Sequence, residues 1–276
     1  MNAADLLGYW PFVVGLLVTG AISGIMAGLL GIGGGAIIVP VLAAMLGLMG
    51  FNSDVVQHVA VASSLAIIIP TGIMSARAHH ARGAVDPVAL RAWVPFIVIG
   101  TLVGGLMAAW FSGDVLRIVF GIMALFIALN IVLPFQRQLM APLAGYPWAH
   151  RLSALVVGYV SALMGVGGGS LSVPTLVAFG DTMHKAVGTA AAIGVAIALS
   201  GTLGFIISGW GHEGLPPFSL GFVNLLAVLL VGVTAALMAP IGARLAHALE
   251  QKTLKYVFAA FLALVGLNMI WRAITG

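Results

Sequence analysis

The sequence predicts an all-α integral membrane protein made of two inverted-topology repeats, each with about five hydrophobic elements and a Gly-rich break between helices. Of its 276 residues, 62% are hydrophobic and only 7% are charged, whereas soluble domains carry about 25% charged residues. Long uncharged runs and a motif that occurs twice support the same conclusion. We expect a single transmembrane domain over residues 1–276, with one repeat at about 10–135 and the other at about 150–275.

The uncharged runs give the number of hydrophobic elements. Between Asp5 and Asp54 lie 48 residues (54 − 5 − 1) without Asp, Glu, Lys or Arg. One helical crossing takes about 20 residues, so this run holds two elements. The first basic residue is Arg77, so the chain lacks the basic start of a signal peptide and its first element should remain in the mature protein. The same reasoning along the chain predicts elements at 10–30, 36–50, 55–76, 87–110, 115–134, 151–168, 170–180, 186–209, 218–243 and 254–274.

The distribution of Lys and Arg predicts the orientation of the repeats. With ten crossings, nine of the eleven basic residues fall on one side of the membrane and two, Arg117 and Arg272, on the other. If the two short elements, 36–50 and 170–180, turn back instead of crossing, the split becomes six against five. Basic residues concentrate on the cytoplasmic side, so ten crossings are favoured. Five crossings per repeat make the repeats inverted, with loop 77–91 cytoplasmic and loop 210–217 external.

A glycine-rich motif occurs once in each repeat. The segment Gly31-Ile-Gly-Gly-Gly35 runs on to Val39-Pro40, and Gly165-Val-Gly-Gly-Gly169 runs on to Val173-Pro174. Each glycine disfavours a helix by about 1 kcal/mol relative to Ala, so each run should end one helix and precede another. The first N–H groups of a helix are unpaired and partially positive, and they bind anions. Close helix packing is the alternative explanation. The predicted substrate-binding residues in these runs are Gly33, Gly34, Gly35, Gly167, Gly168, Gly169 and Ser170.

A second pair of segments carries hydroxyl groups. Ala60-Val-Ala-Ser63-Ser64 aligns with Ala186-Val-Gly-Thr189-Ala190, which makes Ser63 and Thr189 equivalent. Hydroxyls donate to an anion without adding a charge, so we include Ser63, Ser64 and Thr189 in the predicted substrate site. The alternative is a bond from each hydroxyl to a carbonyl of its own helix.

Histidines and missing residue types bound the function further. His58 and His184 precede these segments at equivalent positions, where imidazole titration would permit proton coupling, although an interfacial position at a helix end is favoured. No Asp or Glu lies in the middle of an element, so a Na⁺ site or carboxylate relay is not expected and an anionic cargo is favoured. Cysteine is absent and no catalytic constellation occurs. We therefore expect no enzyme activity, metal, cofactor or nucleic-acid partner, and make no prediction of oligomeric state.

On these residues the chain resembles the sulfite exporter family of membrane permeases, the TauE/SafE-like group. The resemblance rests on the Gly-x-Gly-Gly-Gly-x(3)-Val-Pro pattern at 31–40 and 165–174, and on Ala-Val-x-Ser/Thr at 60–63 and 186–189. The family pattern implies Thr-Ser where this chain has Ser63-Ser64, and Thr189-Ala190 has one hydroxyl fewer.

The resemblance implies a secondary transporter in the bacterial inner cell membrane. Its partners would be the lipid bilayer and a small anionic substrate, and its activity would be export of sulfite, sulfoacetate or a related sulfonate. The alternatives are an anion channel, or an importer of a sulfur compound such as thiosulfate or sulfate. An intramembrane enzyme or an assembly subunit belongs to another class, for which the sequence supplies no catalytic dyad.

Overall fold

Ten helices of eleven residues or more account for most of the protein in a computed structural model, which describes residues 10–30, 34–133, 135–248 and 251–275. A short helix α6, Phe135–Met140, links the two repeats. The first repeat contains α1 Trp10–Leu30, α2 Gly35–Leu48, α3 Ser53–Ala81, α4 Pro87–Met107 and α5 Gly113–Val132. The second contains α7 Pro147–Met164, α8 Gly168–Ala178, α9 Met183–Ser208, α10 Leu225–Ala248 and α11 Gln251–Thr275.

The largest difference from the predicted elements lies before α10. The expected start at residue 218 was wrong, because a two-stranded hairpin of β1 Ser219–Leu220 and β2 Val223–Asn224 precedes the helix. The Asn224 side-chain oxygen then accepts from the N–H of Ala227 at 2.8 Å and fixes the start of α10. The helices after the glycine runs also begin slightly earlier than expected, at Gly35 and Gly168.

The helices differ in whether they are long and apolar enough to cross a bilayer. Helix α8, at 11 residues, spans only about 17 Å, which is less than the hydrocarbon core of about 30 Å. Apolar side chains such as Leu229 and Leu264 are 61% and 69% exposed within their helices, as expected of a surface that faces lipid. The chain is therefore a multi-pass integral membrane protein. Within the described residues, five segments are long and apolar enough to cross: Ser53–Ala81, Pro87–Trp110, Gly113–Val132, Met183–Ser208 and Tyr256–Thr275.

Helices of one repeat pack mainly against helices of the other. The first helix of each repeat lies against the fourth helix of the other repeat, as α1 with α10 and α7 with α4. The third helices, α3 and α9, pack together in the centre, and the fifth helices, α5 and α11, pack together at another face. Glycines allow these close approaches: a side-chain carbon at Gly121 would lie 2.7 Å from the carbonyl oxygen of Gly266, and the converse distance is 2.8 Å.

The most deeply buried segment is the first half of α3. Its residues from Val55 to Ile68 are all buried, and the short helices α2 and α8 lie beside α3 and α9 respectively. This packing brings the helix starts that follow both glycine runs to the centre of the molecule.

Candidate functional site

The second glycine run ends one helix and begins the next within three residues. Gly165 has φ 67°, the left-handed conformation, and its N–H donates to the carbonyl of Ala162 while that of Val166 donates to Ser161, both at 3.1 Å. This pair of bonds is a Schellman motif, which satisfies the last carbonyl groups of α7. Helix α8 then begins after Gly167 with no side-chain cap on its first N–H groups.

The first glycine run begins a helix in the same way. Gly34 has φ 74° and precedes α2, again with no side-chain cap. Its carbonyl accepts from the N–H groups of Ile37 and Ile38, each at 2.9 Å. The predicted site residue Gly33 lies outside the described residues, with Gly31 and Ile32.

The two glycine runs meet across the repeats. A side-chain carbon on Gly35 would lie 2.7 Å from the carbonyl oxygen of Gly165 and 3.0 Å from the Cα of Val166. Ile68 of α3 lies beside both helix starts, because such a carbon would be 3.0 Å from its Cδ1 at Gly35 and 3.2 Å from its Cγ2 at Gly167. Only glycine permits backbone to approach backbone this closely at Gly35.

Gly168 has a packing role of its own. A side-chain carbon there would overlap the carbonyl oxygen of Ala190 and lie 2.8 Å from the backbone nitrogen of Gly194, both in α9. The neighbouring Gly169 is half-buried in the first turn of α8. Gly168 therefore allows close packing of α8 on α9, which is the alternative role that the sequence offered for the glycine runs.

The paired hydroxyls join the two repeats. Ser63 Oγ accepts a hydrogen bond from the N–H of Asn224, and Thr189 Oγ1 accepts one from the N–H of Asp86, both at 2.9 Å. Both hydroxyls are fully buried. Ser64 instead donates its hydroxyl hydrogen to the carbonyl of Gly165 at 2.7 Å and so holds the second glycine run against α3. Asn224 and Asp86 are the residues at the starts of α10 and α4, so each hydroxyl fixes the start of a helix in the opposite repeat.

Other buried polar groups have no hydrogen-bond partner in the part of the chain that the structure describes. The hydroxyls of Ser170 and Ser172 in α8 are among them, as are both amide atoms of Gln57, whose side chain is fully buried. Ser170 was predicted as a site residue, whereas Gln57 was missed. The available signal was that Gln57 is the one carboxamide within the uncharged run 55–76.

The two equivalent histidines differ in environment. His184 is exposed, as expected of an interfacial residue. The same expectation was wrong for His58, which is only 4% exposed. Its Nδ1 lies 2.7 Å from the carbonyl of Asp54 and its Nε2 2.9 Å from that of Ala108, and its ring stacks on Phe222 at 4.8 Å between centroids. These acceptors and the aromatic cover hold the imidazole inside the protein.

Comparison with known proteins identifies the family. The model of the family described as "Sulfite exporter TauE/SafE" matches residues 16–269, which is nearly the whole chain. The chain belongs to the TauE/SafE family. The match covers both glycine runs and both hydroxyl segments, and no solved structure gives a significant match.

Relatives of this TauE/SafE protein are named as transporters. A "Probable membrane transporter protein" of Haemophilus influenzae is 33% identical, covering 95% of this chain and 100% of its own length. A "Probable membrane transporter protein YunE" of Bacillus subtilis is 28% identical, covering 95% and 98% respectively. These names and the family description support a membrane transporter as the function of the chain.

In this TauE/SafE protein, the linker helix α6 contacts α8, the helix that follows the second glycine run. Gln136 in α6 donates from Nε2 to Thr175 Oγ1 of α8 at 2.8 Å, and Thr175 donates in turn to the carbonyl of Leu171 at 2.7 Å. Asn130 of α5 holds Gln136 through its amide, with Nδ2 donating to Gln136 Oε1 at 3.2 Å. Hydrogen bonds therefore connect α8 to the linker between the repeats. Among the described residues, no cluster of three His, Cys, Asp or Glu side chains forms a metal site.

Proposed function

We propose that this membrane transporter is a secondary transporter that exports a small sulfur-containing oxyanion, namely sulfite, sulfoacetate or a related sulfonate. The family description names sulfite export, which makes sulfite the first substrate to test. The absence of acidic residues from the middle of the elements agrees with an anionic cargo.

The observation that carries the proposal is the meeting of the two glycine runs at Ile68. Helices α2 and α8 both begin there, both without a side-chain cap. Each start presents backbone N–H groups that have no partner within the helix and carry part of the positive end of the helix dipole. An oxyanion has several acceptor oxygens on a compact body and suits donors that arrive from two helix ends.

Hydroxyl groups supply further donors in the proposed site. A hydroxyl has one hydrogen to donate besides its acceptor positions, so Ser63 and Thr189 can accept a backbone N–H and still donate to the anion. Ser170 lies in the first turn of α8, and its hydroxyl has no other partner in the described structure. Ser64 has already donated its hydrogen to Gly165, so it positions the glycine run rather than binding the anion.

We further propose that the two repeats have opposite orientations in the membrane. Equivalent hydroxyls hold equivalent helix starts across the repeats, Ser63 with Asn224 and Thr189 with Asp86. Equivalent helices also exchange partners, since α1 packs on α10 and α7 on α4. This reciprocity supports a pseudo-two-fold axis, with the site on the axis near the bilayer midplane.

The substrate is tested with the purified full-length protein in liposomes loaded with sulfite. We expect outward movement of sulfite that accelerates when sulfoacetate is present on the opposite side, because counterflow is a property of transporters and not of channels. Sulfate and thiosulfate gradients in the inward direction test the importer alternative. A pH gradient tests proton coupling, for which buried His58 is the proposed group in place of exposed His184. If no sulfur oxyanion moves, the proposal is wrong.

The site is tested with a pair of serines on α8. Ser170 and Ser172 are both buried, and neither hydroxyl has a partner among the described residues. Two positions apart on a helix, they point to nearly opposite faces. Ser170→Ala should lower sulfite transport by about tenfold, the effect of losing a bond of roughly 1.5 kcal/mol to a charged group. Ser172→Ala should leave transport unchanged, and neither variant should unfold the protein. Equal transport in the two variants would contradict the proposed site.

A further inference from the structure

A basic groove lies on the surface between the starts of α4 and α7, away from the glycine runs. Its volume is about 410 Å³, and its walls include Arg91, Phe96, His150 and Arg151. The guanidinium of Arg151 lies 5.7 Å from the centre of the Phe96 ring, and His150 Nε2 lies 2.9 Å from the carbonyl oxygen of Ala144. The groove is thus a concave surface with two arginines in its wall, one of which, Arg151, packs on an aromatic ring.

Asp181 interacts electrostatically with His150, but the two arginines of this groove have no carboxylate partner among the described residues. None of its lining residues is acidic, and neither arginine forms a salt bridge within the described part of the chain, where Arg117 with Asp114 is the pair that does. Asp86, at the start of α4, uses its carboxylate to accept the N–H groups of Val88 and Ala89. Two unpaired guanidinium groups around one concavity favour an anionic group such as a phosphate.

The surface next to the groove is apolar and faces the bilayer. Leu152, next to Arg151, is 54% exposed, and one to two turns further along the two helices Leu155 is 36% exposed and Ile99 51%. At the mouth of the groove, Tyr146 and Trp148 are 54% and 56% exposed, as is typical of aromatic residues at the boundary between hydrocarbon and headgroups. A ligand that fits both parts has an anionic head and hydrocarbon chains.

We propose that this groove binds the headgroup of an anionic phospholipid, with Arg91 and Arg151 on its phosphate and the acyl chains along α4 and α7. Both arginines belong to the nine basic residues that the charge distribution assigns to the cytoplasmic side, where basic pockets between helices bind such headgroups. In the equivalent pair of helices, α1 has no basic residue, and the one arginine of α10, Arg244, lies near the end of that helix rather than at its start. The lipid site therefore belongs to one side of the protein only.

The test compares lipid binding by the full-length wild type and by Arg91→Gln/Arg151→Gln. Native mass spectrometry and thermal denaturation in detergent measure binding of phosphatidylglycerol, phosphatidylcholine and inorganic phosphate. We expect phosphatidylglycerol to bind and raise the Tm, with roughly fivefold weaker binding for each arginine removed. Phosphatidylcholine and inorganic phosphate should have little effect on wild type.

Two further variants serve as controls. Arg77→Gln/Arg272→Gln removes the same charge from exposed positions outside the groove and should bind phosphatidylglycerol as wild type does. Arg91→Lys/Arg151→Lys retains the charge and should keep most of the binding, which separates loss of the site from loss of folding. The proposal is overturned if the Gln pair binds like wild type, or if the control pair loses as much. Equal binding of phosphatidylcholine, or equal protection by inorganic phosphate, also overturns it.

Discussion

The hydroxyl oxygen of Thr189 accepts a hydrogen bond from the backbone N–H of Asp86 at 2.9 Å, so the third helix of the second repeat holds the start of the fourth helix of the first. Ser63 and Asn224 form the same bond at the same distance with the repeats exchanged. The offset from Ser63 to Thr189 is 189 − 63 = 126 residues, and from Asp86 to Asn224 it is 224 − 86 = 138. These hydroxyls therefore connect the repeats and, in the proposed site, also face the anion.

Replacing Thr189 by Val should destabilise the protein and weaken sulfite binding. Val keeps the shape but leaves the N–H of Asp86 without its acceptor, which costs about 1–3 kcal/mol of stability. Losing the hydroxyl donor should weaken anion binding by roughly 1–3 kcal/mol as well. Thermal denaturation with and without sulfite measures both effects. Thr189→Ser keeps the hydroxyl and should restore most of both; if it behaves like Thr189→Val, the hydroxyl is not the cause.

Opposite orientation of the repeats predicts which loops are accessible from outside the cell. The chain contains no cysteine, so single cysteines can be introduced at the exposed residues His80 and Glu213. In intact cells a membrane-impermeant maleimide should label Glu213→Cys and should reach His80→Cys only after permeabilisation. Labelling of Glu213→Cys from the cytoplasmic side alone would eliminate the inverted arrangement.

Asp181, between α8 and α9, should make stability depend on pH. Burial raises the pKa of its carboxyl above the ordinary value of 3.8, Asp86 raises it further, and Lys185 and His150 partly offset this. In the window from 3.8 up to the raised pKa, the folded protein holds a proton that the unfolded chain has lost. The contribution of the Asp181 carboxyl to the free energy of unfolding therefore falls as the pH rises through this window.

Asp181→Asn should remove this dependence. The variant should have a higher Tm than wild type at pH 7, and the difference should shrink as the pH falls through this window, because the unfolded chain also binds the proton as the pH approaches 3.8. Denaturation at several pH values in detergent measures the difference. A Tm gain for Asp181→Asn that is the same at pH 4 and pH 7 would assign the effect to packing instead of charge.

The number and order of the helices could be predicted from the sequence because charges are excluded from hydrocarbon. The start of α10 could not, since it depends on contacts made after folding. Phe218 has a positive φ of 65°. The Asn224 side chain donates to the carbonyl of Pro217 at 2.8 Å, and its backbone N–H donates to Ser63 Oγ at 2.9 Å. The hydropathy of residues 218–224 does not predict these interactions.

Only those residues of the candidate site that lie in segments occurring in both repeats could be predicted from the sequence. Aligning the halves paired Ser63 with Thr189, but their partners lie in the opposite repeat and no local pattern marks them. The burial of His58 depends on the distant residues Ala108 and Phe222. The glycines of the two runs also have different packing roles, which the sequence does not distinguish, because a side-chain carbon at Gly35, Gly167 or Gly168 would contact different residues.

Gly167 and Gly168 should respond differently to substitution by alanine. Gly167 has φ −73° and ψ 178°, a conformation open to any residue, and its new methyl would contact the flexible side chain of Ile68, at 3.2 Å from Cγ2 and 3.7 Å from Cδ1. Gly167→Ala should therefore fold with nearly unchanged Tm. The methyl lies where α8 begins, so in the proposed site it would push the anion away from the N–H groups and reduce sulfite transport severalfold.

Gly168→Ala should instead fail mainly through stability. Its methyl would overlap the carbonyl oxygen of Ala190, and overpacking against backbone costs about 1–3 kcal/mol. Gly47→Ala in the last turn of α2 is the matched control, because a side-chain carbon there has no neighbour within 4 Å; it should change neither Tm nor transport appreciably. Transport rates in liposomes, normalised to folded protein, separate the two effects. Normal transport by well-folded Gly167→Ala would show that the cargo does not approach the start of α8.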